Sequence, residues 1–223
     1  WSPDGGRIAY TSLDSNGDPR VFWVDLADLQ PNRLLFGDNS ETDPAWSPEG
    51  VWVAFAVLDD RGQPVGLILR NPDGVNRLQV TDSPDSSPAW SPDGSRLAFV
   101  STRDGNEEIY MLKIGDDGPE GQAERLTDNP GRDFSPQWSP DGDSVAFLSD
   151  RNGNVDVFVV RKDGSDQKAL TRNNVHETAI SWGADGRLVF VSEPSGKPDL
   201  FLIQDGTQRQ LTSDREPITF PDW

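Results

Sequence analysis

One pentapeptide recurs along this chain at a nearly fixed spacing, and that spacing limits the possible folds more than any other feature. Trp-Ser-Pro-Asp-Gly occupies residues 1–5, 90–94 and 138–142. Residues 46–50 carry Glu in place of Asp, residues 182–186 read Trp-Gly-Ala-Asp-Gly, and position 223 is again Trp. Successive tryptophans at 1, 46, 90, 138, 182 and 223 are 45, 44, 48, 44 and 41 residues apart. A period of this length marks a repeat architecture, in which each unit buries its faces only by stacking on its neighbours.

Each period contains the signals of four short strands. A small or apolar stretch such as Ser87-Pro88-Ala89 leads to the Trp, and Ser-Pro-Asp-Gly then forms a hairpin. Proline presets one corner of that turn, aspartate accepts from nearby N–H groups, and glycine takes the left-handed position. Alternating runs follow, Arg96-Leu97-Ala98-Phe99-Val100 in one copy and Ser144-Val145-Ala146-Phe147-Leu148 in another. Period two identifies a strand. A Gly/Asn turn precedes a third apolar run, Ile109-Tyr110-Met111-Leu112 or Val157-Phe158-Val159-Val160. Arg125-Leu126-Thr127, Ala169-Leu170-Thr171 and Gln210-Leu211-Thr212 are expected as the fourth strand.

No window has sustained helical spacing of apolar residues. Sheets that are apolar on both faces bury them when arranged radially as blades. The expected fold class is therefore all-β, a β-propeller of four-stranded antiparallel blades. A single domain over 1–223 is expected, with repeats beginning near 1, 46, 90, 138 and 182. Ala9, Ala54, Ala98 and Ala146 would let neighbouring sheets approach, and Tyr10, Phe55, Phe99 and Phe147 would fill the space between them. The repeated tryptophans are expected in the blade core.

Trp-Ser-Pro-Asp-Gly, then Leu-Ala-Phe-Val-Ser, then Asp-Gly-Asn-Glu-Glu-Ile-Tyr, then Arg-Leu-Thr resembles the repeat of the TolB-like (WD-like) propeller family, most closely over residues 82–171. The resemblance extends along the whole chain and is loosest in the first repeat's residues 25–35, Asp-Leu-Ala-Asp-Leu-Gln-Pro-Asn-Arg-Leu-Leu, and in the fifth repeat's Trp-Gly-Ala-Asp-Gly. It implies a non-enzymatic propeller outside the cytoplasm, periplasmic or on the cell surface, that binds a protein or peptide. The same repeat type also occurs in the substrate-gating propeller of prolyl-oligopeptidase-like serine peptidases, so the alternative is such a gate, its hydrolase outside this chain. Family propellers have six blades against five repeats here. The expectation is a ring of five in which residues 216–223 supply the inner strand of the first blade, or an arc of a six-bladed or larger parent. The start at Trp1, inside a repeat and without Met, suggests a segment of a longer polypeptide.

Propellers bind where their inner strands begin. Five residues before each Trp stand Glu41, Asp85, Asp133 and Glu177, with Glu216 near the fifth equivalent position. The resemblance places Asp there, matching Asp85 and Asp133 directly. If the ring closes, these carboxylates meet around its axis and suit Ca²⁺ or a basic peptide. Alternatively, each serves its own turn by accepting local hydrogen bonds. His176, the only histidine, adjoins Glu177 and is expected at the same rim. There is no Gly-x-Ser-x-Gly and no phosphate-cradling glycine loop to support an enzyme. Asp150-Arg151-Asn152-Gly153-Asn154 departs from a calcium loop, its glycine being fourth, and is expected as a hairpin turn. With 38 acidic against 20 basic residues, the chain at −18 would repel nucleic acid. No apolar run is long enough for direct membrane insertion.

Overall fold

The computed structural model describes residues 1–33, 39–74, 76–194 and 196–213. Every regular element among them is a β-strand, and five antiparallel sheets follow the five repeats. The first sheet contains β1 (Arg7–Leu13), β2 (Pro19–Asp25) and β3 (Pro31–Arg33). The second contains β4 (Ser40–Trp46), β5 (Val53–Leu58), β6 (Pro64–Arg70) and β7 (Arg77–Gln79). The third contains β8 (Asp85–Trp90), β9 (Arg96–Ser101), β10 (Glu108–Gly115) and β11 (Gly118–Arg125). The fourth contains β12 (Asp133–Trp138), β13 (Ser144–Ser149), β14 (Asp156–Arg161) and β15 (Lys168–Ala169). The fifth contains β16 (Glu177–Trp182), β17 (Leu188–Ser192), β18 (Asp199–Gln204) and β19 (Thr207–Gln210).

In all five sheets hydrogen bonding runs in chain order, strand to next strand, which is the meander of a propeller blade. The expected inner strand of the first blade, residues 216–223 with Glu216, lies outside the described residues. The chain forms two compact units, 1–105 with 111–123, and 106–110 with 124–223. No helix among the described residues is long and apolar enough to cross a membrane.

The middle strands carry the core. Phe55, Phe99, Phe147 and the equivalent Phe190 are buried, as are Ala54, Ala98 and Ala146. Phe55, Phe147 and Phe190 each sit opposite a large residue of the next strand, Phe55 facing Ile68. Phe147 pairs with Phe158 in register and stacks on it at 5.8 Å, and Phe190 does the same with Phe201 at 5.3 Å. The tryptophans split: Trp138 is buried, Trp46, Trp90 and Trp182 are half-buried, and Trp1 is 61% exposed. Trp1 thus departs from the expected core role, because no described strand pairs with the segment that carries it.

The Ser-Pro-Asp-Gly turns form as expected, with serine at their centre. Ser139 Oγ accepts the Ser144 N–H at 3.0 Å and donates to Asp141, which also accepts the Asp143 N–H at 3.0 Å. Ser91 and Asp93 repeat this pattern. Gly94 and Gly142, each at φ 70°, close these turns in the left-handed region that side chains resist. The Ser91 and Ser139 hydroxyls hold Asp93 and Asp141 below the usual carboxylate range.

Two local results differ from the sequence expectation. First, Arg-Leu-Thr does not form the fourth strand but ends it. The Leu126 and Thr127 N–H groups both go to Ile109 O, and Leu170 and Thr171 both go to Val157 O. Two residues thus face one, and the ladder stops in a bulge. Second, the inner strands are bulged at their prolines. Asp43, Ser87 and Ser135, each just before Pro, have φ of 57°, 51° and 54°, and the register shifts at these points. Proline cannot donate to a ladder, so it sits where the pairing is interrupted.

Ser139→Ala removes both the acceptor for Ser144 N–H and the donor to Asp141. It is expected to cost about 1–2 kcal/mol at pH 7, measured as a lower urea midpoint at unchanged m. The part that depends on charged Asp141 should vanish as pH falls through that group's lowered pKa.

Candidate functional site

Glu41, Asp85, Asp133 and Glu177 stand at equivalent places, at or next to the first residue of β4, β8, β12 and β16. All four are buried, at 0–2% exposure. A buried carboxylate needs donors, and the neighbouring strands and loops supply them. Asp85 Oδ2 accepts from Arg103 at 2.7 Å. Asp133 Oδ2 accepts from Arg151 and, at 2.8 Å, from Asn129. Glu177 accepts from Asn173 at 2.9 Å, Thr171 at 3.1 Å and Ser192 at 3.2 Å. Glu41 accepts the Val21 N–H at 3.4 Å. Arg103 and Arg151 lie 18 residues beyond their acids and Val21 lies 20 residues before Glu41, so these bonds join separate chain segments and are not confined to each acid's own turn.

The third strands bring a further set of acids that the sequence reading missed. Glu108, Asp156 and Asp199 open β10, β14 and β18 and are buried. A threonine ties each to its fourth strand. Thr127 Oγ accepts the Ile109 N–H at 2.9 Å and donates to Glu108 at 2.6 Å. Thr212 Oγ accepts the Leu200 N–H at 3.0 Å and donates to Asp199 at 3.1 Å. Thr171 accepts the Val157 N–H at 2.8 Å and turns its hydroxyl toward the Asp156/Glu177 pair. The recurrence of Thr after Leu at the repeat period was the available signal.

Within the second unit these groups form a continuous polar seam between sheets. Asn129 donates its N–H₂ to Asp133 while its own N–H goes to Glu108 at 3.0 Å. Asn106 donates to Glu108 at 2.9 Å and to the backbone carbonyls of Asn129 and Gly131. Backbone bonds reinforce the joint, from Asp133 N–H to Glu107 O at 2.8 Å and from Glu177 N–H to Val155 O at 3.0 Å. Arg151 lies over the Phe158 ring at 4.5 Å, giving its guanidinium an apolar seat beside Asp133. Gly131 permits the close approach, since a Cβ there would stand 2.5 Å from Arg151 Cα.

These contacts anchor the starts of the inner and third strands. Burial raises Asp133 and Glu177 above the ordinary carboxylate range, as it does Glu41. Arg151 draws Asp133 back down, and Asn173, Thr171 and Ser192 do the same for Glu177. Among the described residues no group of three or more His, Asp or Glu is placed to hold a metal ion. Asp85 Oδ1 and Asp133 Oδ1 are buried without a hydrogen-bond partner. His176 is exposed, and its Nδ1 accepts the Val155 N–H at 3.1 Å. The 150–154 segment is the turn between β13 and β14, with Asp150 bound to the Arg132 N–H at 2.7 Å and to Arg132 Nε at 2.8 Å.

Asp133→Ala leaves Arg151 without its buried partner and is expected to destabilise the fold by about 3 kcal/mol, measured by urea unfolding. Glu177 has the opposite pH sign from Asp141. A carboxyl whose folded pKa is raised contributes fully below its unfolded value of about 4.3 and loses that contribution as pH rises through the folded value. The stability difference between Glu177→Gln and the parent chain should therefore shift in the variant's favour from pH 4.5 to pH 7.5. A difference that stays constant with pH would overturn this.

Comparison with known proteins agrees with this geometry. Residues 76–222 match the TolB beta propeller domain. No curated protein matches the chain. Among solved structures, a protein from Agrobacterium tumefaciens assigned to TolB is 27% identical, with a TM-score of 0.79 over 95% of this chain and 78% of its own. TolB from Acinetobacter baumannii is 25% identical, with a TM-score of 0.77 over 96% of this chain and 54% of its own. A puromycin-hydrolyzing peptidase from Mycobacterium tuberculosis shares the fold at 17% identity, with a TM-score of 0.77 over 97% of this chain and 39% of its own. This chain therefore spans roughly half of the Acinetobacter protein and less than half of the peptidase. The repeat, the blade meander and the family match together establish that the chain belongs to the TolB β-propeller domain family.

Proposed function

We propose that this chain is a non-enzymatic binding module, located outside the cytoplasm, that recognises a protein or peptide at the end of the blades where the inner strands begin. The observation that carries this reading is the rigid polar seam at that end. Buried carboxylates fix the loops through Thr, Asn and Arg, and leave other side chains of the same loops facing solvent. In the second unit these include Asp128, with 82% of its side chain exposed, Arg132 at 58%, and His176. A preordered loop loses little entropy on binding. The ring acids found by sequence spacing thus support the surface, while their exposed neighbours make the contacts. Family membership supports the binding role and the location.

Site-specific photo-crosslinking in native cell-envelope extract tests this. A crosslinker at position 128 or 176 should trap the same protein. A crosslinker at Asp163, an exposed turn residue at the other end of β14, should not trap it. Trapping from 163 alone, or from none of the three, would sink the proposal.

A second reading is favoured by one observation: the peptidase propeller superposes as well as the Acinetobacter TolB. In that reading the chain gates peptides entering a hydrolase domain elsewhere in the parent protein. A fluorophosphonate probe should then label the full-length parent at a serine outside these 223 residues. Absence of label leaves the binding module.

A further inference from the structure

The polar seam joins the sheets at one end of their strands, and the Ser-Pro-Asp-Gly turns lie at the other. There the joints between neighbouring blades differ in how well they close. Between the first and second sheets, Pro3 sits 3.6 Å from where a Cβ of Gly50 would be, and the remaining gap is about 200 Å³. Between the second and third, the Glu49 carboxyl covers Gly94, and the gap is about 370 Å³. In these two joints one turn lays a side chain over the glycine of the next. Between the fourth and fifth sheets, nothing comes within 4 Å of the corresponding position at Gly186, and the cleft reaches about 700 Å³.

The fifth turn is also the one whose sequence departs most from the repeat. Gly183 and Ala184 replace the usual Ser and Pro, so the turn lacks the ring and the hydroxyl that its counterparts carry. The indole nitrogens record the same difference. Trp90 Nε1 donates to Ala45 O of the preceding inner strand at 3.2 Å. Trp182 holds the equivalent place before Gly183, and its buried Nε1 has no hydrogen-bond partner. Trp46 Nε1 is also without one, but the strand that would precede it falls outside the described residues.

The cleft has an apolar floor of Val159, Leu170, Trp182, Leu188 and Ile203. Four aspartates line it against Arg161 and Lys168, leaving the lining net negative by two. Two of those aspartates are committed, Asp141 to its serine turn and Asp185 to Arg187 at 2.6 Å. Asp166 and Asp205 are exposed, stand in turns at φ 54° and 50°, and carry no ion pair among the described residues.

We infer that this cleft is a binding site for a short basic peptide segment. An apolar side chain covers the floor beside Trp182, and a Lys or Arg reaches Asp166 and Asp205. A volume of this size holds two or three residues, and the chain's overall charge of −18 disfavours an acidic ligand. The site lies at the opposite end of the strands from the proposed partner surface and does not depend on it.

The test uses the whole chain with ¹⁵N-labelled tryptophan, titrated with acetyl-Lys-Leu-Lys-amide and, as control, acetyl-Glu-Leu-Glu-amide. The Trp182 indole signal is assigned by its loss in Trp182→Phe. The expected result is a saturable shift of that signal with the basic peptide and none with the acidic one. Ala184→Trp, at an exposed cleft-lining position, fills the cleft and should abolish the shift even if Trp182→Phe fails to fold. Asp166→Asn with Asp205→Asn should weaken binding roughly fivefold at low salt, the scale of exposed charge contacts. No shift at millimolar peptide, equal shifts with both peptides, or a shift that persists in Ala184→Trp would each overturn the inference.

Discussion

The structure depends on satisfying buried carboxylates at the joints between blades. Four-stranded sheets with apolar faces will pack against almost any other apolar face, so hydrophobic burial alone does not set how one blade follows the next. The acids that open the inner and third strands do set it. Each is removed from water and demands donors, and for Glu41, Glu108, Asp133 and Glu177 some of those donors come from a neighbouring sheet or the loop that joins it. Glu108 takes Thr127 from its own blade and Asn129 from the loop leading to the next. Asn129 then reaches Asp133, the first residue of that next blade. A displaced blade would leave charges buried and unpaired, which costs far more than a loosened apolar contact.

Core and seam divide the work along the strands. The middle of each sheet is apolar on both faces and supplies the driving force, with Phe147 against Phe158 and Phe190 against Phe201 as its recurring layer. One end is polar and supplies registration. Arg151 links the two, since it rests on the Phe158 ring while bonding Asp133. The Thr bulges that end the fourth strands belong to the same device. By sending two N–H groups to one carbonyl, they free the threonine hydroxyl to reach the acid beside it.

The turn end has no such network. Closure there relies on side chains of one Ser-Pro-Asp-Gly turn covering the glycine of the next, and on the indole N–H reaching the preceding strand. At the joint between the fourth and fifth sheets nothing covers Gly186, the Trp182 indole N–H has no partner, and a cleft opens.

The sequence alone determined the blades. Period, strand alternation and turn chemistry are local properties, and a tryptophan every 41 to 48 residues with a hairpin after it leaves little choice of architecture. The equivalence of Glu41, Asp85, Asp133 and Glu177 was also legible, because repeats make position countable. What those acids do was not. Spacing cannot show whether a carboxylate at a strand start faces an opening or an arginine 18 residues further on, and Arg103 and Arg151 answer that only once two strands are paired. The second set of acids and the Thr and Asn that serve them went unnoticed because each, taken singly, looks like an ordinary turn residue. Tertiary structure decided their role, since burial is what turns a carboxylate from a solvated charge into a group that must be matched. The open joint at Trp182 was decided in the same way: the altered turn at 183–184 is visible in the sequence, but the space beside Trp182 depends on two neighbouring blades at once.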